Sequence, residues 1–90
     1  MLEKTFKITR DTGIDAKMSS LLVSKATEFK ANITINLNEA YVNLKSILGI
    51  MSLNARKGEV INISCDGIDE EEAIKQLAYL ISEAKIGKEY

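Results

Sequence analysis

Residues 43–53 read Asn43-Leu44-Lys45-Ser46-Ile47-Leu48-Gly49-Ile50-Met51-Ser52-Leu53, and this pattern predicts a short helix around which the rest of the chain is organised. Serine is favoured at a helix N-cap, because its hydroxyl accepts a hydrogen bond from a backbone N–H that has no partner within the helix. We therefore place the N-cap at Ser46. Glycine in a helix interior costs about 1 kcal/mol relative to alanine, so Gly49 suggests that something approaches the backbone closely there.

The apolar residues of this helix fall into two groups. At about 100° per residue, one group points close to the direction of Ser46 and consists of Ile50 and Leu53. The other group forms a separate arc of Ile47, Leu48 and Met51. A short surface helix normally buries one apolar stripe. The second arc therefore either faces solvent and a partner or lies in the core beneath a neighbouring loop, and the helical geometry leaves both possibilities open.

The composition predicts one small domain over residues 1–90. Apolar residues make up 46% of the 90 residues, which is enough for a single core. With 12 basic and 13 acidic residues the net charge is −1, which does not favour a nucleic acid or a membrane surface as a direct partner. We find no apolar run of membrane-spanning length and no signal peptide at the first residues. Together with the single Cys65, this predicts a cytoplasmic location.

The sequence contains no histidine, which narrows the chemistry that the chain can perform. It lacks the commonest general base, the commonest metal ligand and any phosphohistidine. The remaining carboxylates and lysines do not form a nucleophile-and-base arrangement or a recognisable metal-binding loop. We therefore expect a non-catalytic protein without metal or cofactor, in which Cys65 is a small apolar core residue.

Alternating polar and apolar residues predict four strands, and helical periodicity predicts two further helices. The strands are expected at residues 4–9, 33–37, 40–43 and 59–65. The first helix is expected from Ala16 to Phe29, with Asp15 as its N-cap. The last is expected to run from Asp69, which with Glu72 fits the spacing of a capping box, to near Gly87.

The predicted element order is βαββαβα. Strands that are apolar on one face need helices on one side only. The sequence therefore predicts an α+β fold of two layers, an open-faced β-sandwich. Its four-stranded, mostly antiparallel sheet would be covered on one face by three helices.

Two of the expected helix starts carry polar side chains that bear on function. Free N–H groups at a helix start attract anions, but the carboxylate of Asp15 can take these N–H groups itself, as in an ordinary N-cap. A phosphoryl group on Ser46 would add about −1.5 to −2 charges beside the positive end of its helix. The N-cap position and the helix dipole do not distinguish such a modification site from an ordinary serine N-cap.

Residues Val42–Leu53 resemble the signature around the regulatory serine of the HPr phosphocarrier family, the small proteins of the bacterial phosphoenolpyruvate-dependent sugar phosphotransferase system. The resemblance covers the whole chain, and it implies the same open-faced β-sandwich. The family motif Gly-Ile-His-Ala-Arg-Pro reads here Gly13-Ile14-Asp15-Ala16-Lys17-Met18. The resemblance thus implies a degenerate phosphocarrier site at Asp15, Ala16 and Lys17. In this site, lysine keeps the positive charge of arginine but cannot donate two parallel hydrogen bonds as a guanidinium group does.

The chain is similar to the catabolite repression class of HPr, which likewise lacks the histidine and keeps the serine. This implies that Ser46 is a regulatory phosphorylation site. The implied partners are an HPr kinase/phosphorylase and a LacI-type catabolite regulator, with enzyme I of the phosphotransferase system as a further candidate. The implied partner-binding residues are Lys17, Leu21, Ile47, Leu48 and Met51. Ile50 and Leu53 are then expected to point inward.

Two other roles for Asp15 stay open. It stands where the family has its histidine, so it could accept a phosphoryl group as an acyl phosphate, which would make the chain a divergent phosphocarrier. Alternatively, its carboxylate could imitate part of the charge of a phosphorylated histidine, although a carboxylate is flat and carries one charge only.

Overall fold

The computed structural model describes all residues from Met1 to Tyr90 and confirms an α+β fold with three helices. The strands are β1 Leu2–Ile8, β2 Asn32–Leu37, β3 Ala40–Asn43, β4 Val60–Asp66 and β5 Gly87–Glu89. The helices are α1 Ala16–Ala26, α2 Ile47–Leu53 and α3 Glu70–Glu83. None of the three helices combines the length and the apolar character needed to cross a membrane.

The five strands form one antiparallel sheet in the order β3-β2-β4-β1-β5. Alternate residues of the three central strands point to the helix-covered face and are buried: Phe6, Ile8, Ile33, Ile35, Leu37, Ile61, Ile63 and Cys65. They meet the buried stripe of α1, including the predicted Met18, Leu22 and Ala26, in one continuous core. The period-two pattern of the strands and the 3.6-residue period of the helices therefore face each other across two layers.

The fifth strand corrects the prediction of a four-stranded sheet and of a last helix reaching Gly87. Helix α3 ends at Glu83, and Lys85 takes a left-handed conformation with φ 56° that reverses the chain. The buried Ile86 then leads into β5, where Gly87 pairs with Ile8. A Cβ on Gly87 would lie 2.5 Å from the Lys7 carbonyl oxygen, so glycine permits the close pairing. Three residues are too few to show alternation, and only the free edge of β1 makes them a strand.

The predicted capping box at Asp69 and Glu72 is wrong. Asp69 makes no side-chain cap to α3. Its carboxylate instead accepts backbone hydrogen bonds from Lys30 (2.8 Å) and Ala31 (2.9 Å). Glu70 bonds back to the N–H of Gly67 at 3.0 Å. The carboxylate of Asp69 thus joins the start of α3 to the loop before β2, a long-range contact that local spacing does not reveal.

Helix α1 also ends earlier than predicted, at Ala26 rather than Phe29. The chain continues in a turn in which Glu28 and Phe29 donate backbone hydrogen bonds to carbonyls three residues earlier. Phe29 is nevertheless buried, as the helical stripe predicted.

Candidate functional site

Ser46 is the N-cap of α2, as predicted. Its backbone is extended, and its Oγ accepts a hydrogen bond from the N–H of Gly49 at 3.0 Å. A Cβ on Gly49 would lie 3.3 Å from both Cβ and Oγ of Ser46. The close approach suggested by Gly49 is therefore that of the Ser46 side chain itself, which leaves this hydroxyl half-buried at the start of the helix.

The structure separates the two apolar groups of α2. Ile50 is 1% exposed, and Leu53 is partly buried against the core. The other arc faces solvent, with exposed fractions of 41% for Ile47, 82% for Leu48 and 43% for Met51. The fold uses only one side of this helix, so an apolar surface remains exposed next to Ser46.

Helices α1 and α2 pack against each other, which brings the predicted partner-binding residues onto adjoining elements. Lys17 and Leu21 are four residues apart and therefore share one face of α1. Both are exposed, Leu21 at 38%. We use the name docking face for the exposed residues Lys17, Leu21, Ile47, Leu48 and Met51.

The carboxylate of Asp15 is occupied by hydrogen bonds from its own loop and helix. Oδ1 accepts the N–H of Met18 at 3.0 Å, which makes Asp15 the predicted N-cap of α1. Oδ2 accepts hydrogen bonds from Arg10 at 3.3 Å and Thr12 at 3.4 Å. The Met18 N–H lowers the pKa of Asp15, burial opposes this, and the charge of Arg10 lowers the pKa further. Asp15 is therefore ionised at neutral pH, with both oxygens engaged.

The loop before α1 is fixed to the loop after α2. The N–H of Ile14 bonds to the carbonyl of Ala55 at 3.0 Å, and Lys57 pairs with Asp11 at 2.7 Å. Sequence reasoning treated residues 10–13 only as a turn and missed Arg10 and Thr12 as partners of Asp15. Their polar character next to a predicted N-cap was the only available signal.

Two residues next to Asp15 and Ser46 in the chain contribute no polar side chain to the predicted site. Ala16, the first residue of α1, is exposed and supplies no polar side chain. Lys45 precedes Ser46 in the chain, but its Nζ donates to the Phe29 carbonyl at 2.7 Å and so points to the far end of α1. No three carboxylate or thiol side chains come together in a way that could hold a metal ion.

Comparison with known proteins gives consistent matches. A family model described as "PTS HPr component phosphorylation site" matches residues 2–83. The phosphocarrier protein HPr of Neisseria meningitidis serogroup A is 39% identical over 82 residues, which are 91% of this chain and 92% of that protein.

Solved structures are similar over nearly the whole chain. The histidine-containing phosphocarrier protein of Mycoplasma superposes with a TM-score of 0.94 at 32% identity, covering 96% of this chain and 98% of that one. The catabolite repression protein Crh of Bacillus subtilis, solved as a swapped dimer, has a TM-score of 0.73 at 31% identity. That match covers 92% of this chain and 95% of Crh.

Proposed function

Because the chain belongs to the HPr family of the phosphotransferase system, we propose that it is a regulatory member of that family. In this proposal, phosphorylation of Ser46 switches its contacts with other proteins in carbon catabolite control, in the cytoplasm. The observation that carries the proposal is the exposed apolar arc of α2, which begins directly after Ser46. The similarity to Crh supports the same class.

The docking face has the properties of a binding surface. Apolar area removed from water contributes about 25 cal/mol per Å², and Leu48 leaves 82% of its side chain available for this. Ile50, on the opposite side of the same helix, already anchors α2 to the core. The exposed residues are therefore free to contact a partner, and Lys17 adds an exposed charged residue on the adjoining helix α1.

Phosphorylation would act on this surface without unfolding it. A phosphoryl group on Ser46 would add about −1.5 to −2 charges at the end of α2 where the helix dipole is positive. The modified residue would present acceptor oxygens beside Ile47. A partner that offers arginines next to an apolar groove would then bind the phosphorylated form more tightly.

The family resemblance suggests the partners. An HPr kinase/phosphorylase would modify Ser46, and a LacI-type catabolite regulator would bind the product. In this role the chain is neither an enzyme nor a phosphohistidine carrier, since it contains no histidine. Enzyme I is a partner only of the second candidate function below.

The proposal is tested by incubating the protein with ATP and an HPr kinase/phosphorylase, followed by mass spectrometry. We expect one phosphoryl group on Ser46, its loss in Ser46→Ala, and its retention in Ser52→Ala, a matched serine of the same helix. Binding of the phosphorylated protein to the regulator is then measured by calorimetry, and Leu48→Ala should weaken it about tenfold. An unmodified Ser46, together with no binding to the regulator, would reject the proposal.

The second candidate is a divergent phosphocarrier that uses Asp15 as the phosphoryl acceptor. It is favoured by the position of Asp15 at the start of α1 beside Arg10. Against it, both carboxylate oxygens already accept hydrogen bonds. Enzyme I and labelled phosphoenolpyruvate should then give a label that hydroxylamine removes and that Asp15→Asn abolishes. A protein that stays unlabelled rules this candidate out.

A further inference from the structure

A polar pocket of about 550 Å³ lies where the end of α3, the start of β5 and the loop after β1 meet. It is separate from the docking face, which lies on α1 and α2. The residues that line it are all polar or glycine: Thr9, Arg10, Asp11, Ser82, Lys85, Gly87 and Lys88. None of these residues has a hydrophobic side chain.

The positive charges of this pocket are only partly neutralised. Its one carboxylate, Asp11, is paired at 2.7 Å with Lys57, which lies outside the lining. Arg10 is shared with Asp15. Lys85 and Lys88 form no ion pair with any residue of the chain. The pocket therefore has a positive balance in a protein whose net charge is −1.

The register of the sheet places a further cation opposite Lys88, on the face away from the helices, because Lys7 lies between the buried Phe6 and Ile8. Lys7 of β1 lies directly opposite Lys88 of β5, and like charges in directly opposed positions destabilise a strand pair. Lys7 has no carboxylate partner either, because the nearby Glu89 pairs with Lys4 at 3.2 Å. Neither lysine of this pair is therefore neutralised by a carboxylate of the chain.

The side chain of Lys85 is not needed to complete the end of α3. The backbone N–H groups of Lys85 and Ile86 already bond to the carbonyls of Ser82 (3.1 Å) and Ile81 (2.9 Å). These bonds satisfy the helix end in the usual way for a residue in the left-handed conformation. The ammonium group of Lys85 forms no ion pair within the chain and is therefore available to a ligand.

We infer that this pocket binds a small phosphate ester. Phosphate oxygens accept several charge-assisted hydrogen bonds at once, and lysine is a common phosphate-binding residue. Lys85 and Lys88 provide the charge, and the hydroxyl groups of Thr9 and Ser82 can bond to phosphate or to a polyhydroxyl body. The inference does not depend on phosphorylation of Ser46.

The test is a titration of ¹⁵N-labelled protein followed by NMR, with inorganic pyrophosphate and glucose 6-phosphate as probes and glucose as the uncharged control. We expect saturable shifts at the backbone amides of Thr9, Arg10, Lys85, Gly87 and Lys88, which salt weakens. Glucose should cause none. Shifts that stay linear with probe concentration, or that centre on α2, would overturn the inference.

Charge-neutral variants locate the binding. We expect the double variant Lys85→Gln with Lys88→Gln to bind both probes about tenfold more weakly, which corresponds to the loss of one charge-assisted hydrogen bond. Lys75→Gln, an exposed lysine of α3 outside the pocket, should retain the affinity of the parent. Equal weakening in the Lys75→Gln control would show attraction to overall charge and reject the site. Saturable binding of a phosphoserine peptide at the pocket, with none of either probe, would reject a small-molecule ligand.

Discussion

At the scale of single residues, Asp15 shows how one carboxylate can hold both the start of a helix and the loop before it. It caps α1 through the N–H of Met18 and receives Arg10 and Thr12 on its other oxygen. The same bonds that hold it also keep it ionised. Its structural role is therefore established by geometry, and any signalling role must use a group that is already engaged.

The lowered pKa of Asp15 predicts a pH-dependent contribution to stability. A carboxyl group whose pKa is lower in the folded than in the unfolded protein stabilises the fold above its ordinary value of 3.8, and this contribution is lost as pH falls through the lowered pKa. Asparagine caps helices about as well as aspartate. We therefore expect Asp15→Asn to be less stable than the parent at pH 7, with the difference vanishing in acid, as measured by urea denaturation.

The control for Asp15→Asn is Glu39→Gln, because Glu39 is exposed in the turn after β2 and makes no ion pair. It should change stability little at any pH. A constant difference between Asp15→Asn and the parent from neutral pH to acid would show that the charge of Asp15 contributes nothing.

Gly13 is a second informative residue, because its backbone conformation and close surroundings require glycine. It has φ 65°, and a Cβ there would lie 2.2 Å from the carbonyl oxygen of Ala55. We expect Gly13→Ala to lower the free energy of unfolding by more than about 2 kcal/mol, because the backbone strain and the steric clash with Ala55 both destabilise the fold. Gly58→Ala is the matched control, with φ 91° but open space around the site, and it should cost about 1–2 kcal/mol from strain alone. Equal losses in thermal denaturation would show that contact with Ala55 is unimportant.

At the scale of elements, α2 divides its apolar residues between the core and the surface. Ile50→Ala should cost about 2–5 kcal/mol, since it removes buried methyl groups and leaves a cavity. Leu48→Ala should change stability by less than about 0.5 kcal/mol, because Leu48 is 82% exposed. Chemical denaturation of both variants checks this. A large loss with Leu48→Ala would mean that Leu48 supports the fold, and its use as a docking residue would need another explanation.

The turn from α3 to β5 offers a stabilising substitution. Lys85 holds φ 56°, a conformation that glycine adopts without the steric cost borne by other residues, about 1–2 kcal/mol. We expect Lys85→Gly to stabilise the protein by about 1 kcal/mol. Lys75→Gly, in the middle of the same helix, should lose about 1 kcal/mol. If both substitutions destabilise by the same amount in thermal scans, the left-handed turn does not constrain residue 85.

At the scale of the whole molecule, the absence of histidine predicts a flat stability profile around neutral pH. Hydrogen bonds and charges lower the pKa of Asp11, Asp15, Asp69 and Glu70. Each contributes stability above its ordinary pKa and loses it in acid. Burial, with the charges of Glu70 and Asp69, raises the pKa of Cys65 from 9.0 to about 11.

A buried thiol resists ionisation that the unfolded chain allows, so stability should also fall above about pH 9. Urea midpoints measured across the pH range should therefore form a plateau with a decline on each side. Cys65→Ala should remove part of the alkaline decline and leave the acid side unchanged. A change of stability centred near pH 6.5 would contradict the profile, since no side chain of this composition titrates there at its ordinary pKa.

The sequence by itself determined the features that depend on neighbouring residues. Alternation in residues 33–37 and the stripe of Met18, Leu22 and Ala26 predicted elements and core, because side-chain direction follows the local period. Asp15 and Ser46 were identified as N-caps for the same reason, since a cap bonds three residues ahead. The exposure of Leu48 followed from the family resemblance, and helical geometry alone had not decided it.

The tertiary structure decided what depends on residues far apart in the chain. Residues 87–89 are a strand only because the edge of β1 is free to pair. Asp69 turns away from its own helix to Lys30 and Ala31, and Lys88 meets Lys7 across a strand pair. Such contacts join segments that are far apart in the chain, so the local sequence pattern does not predict them. They form only when the strands pair in the native register.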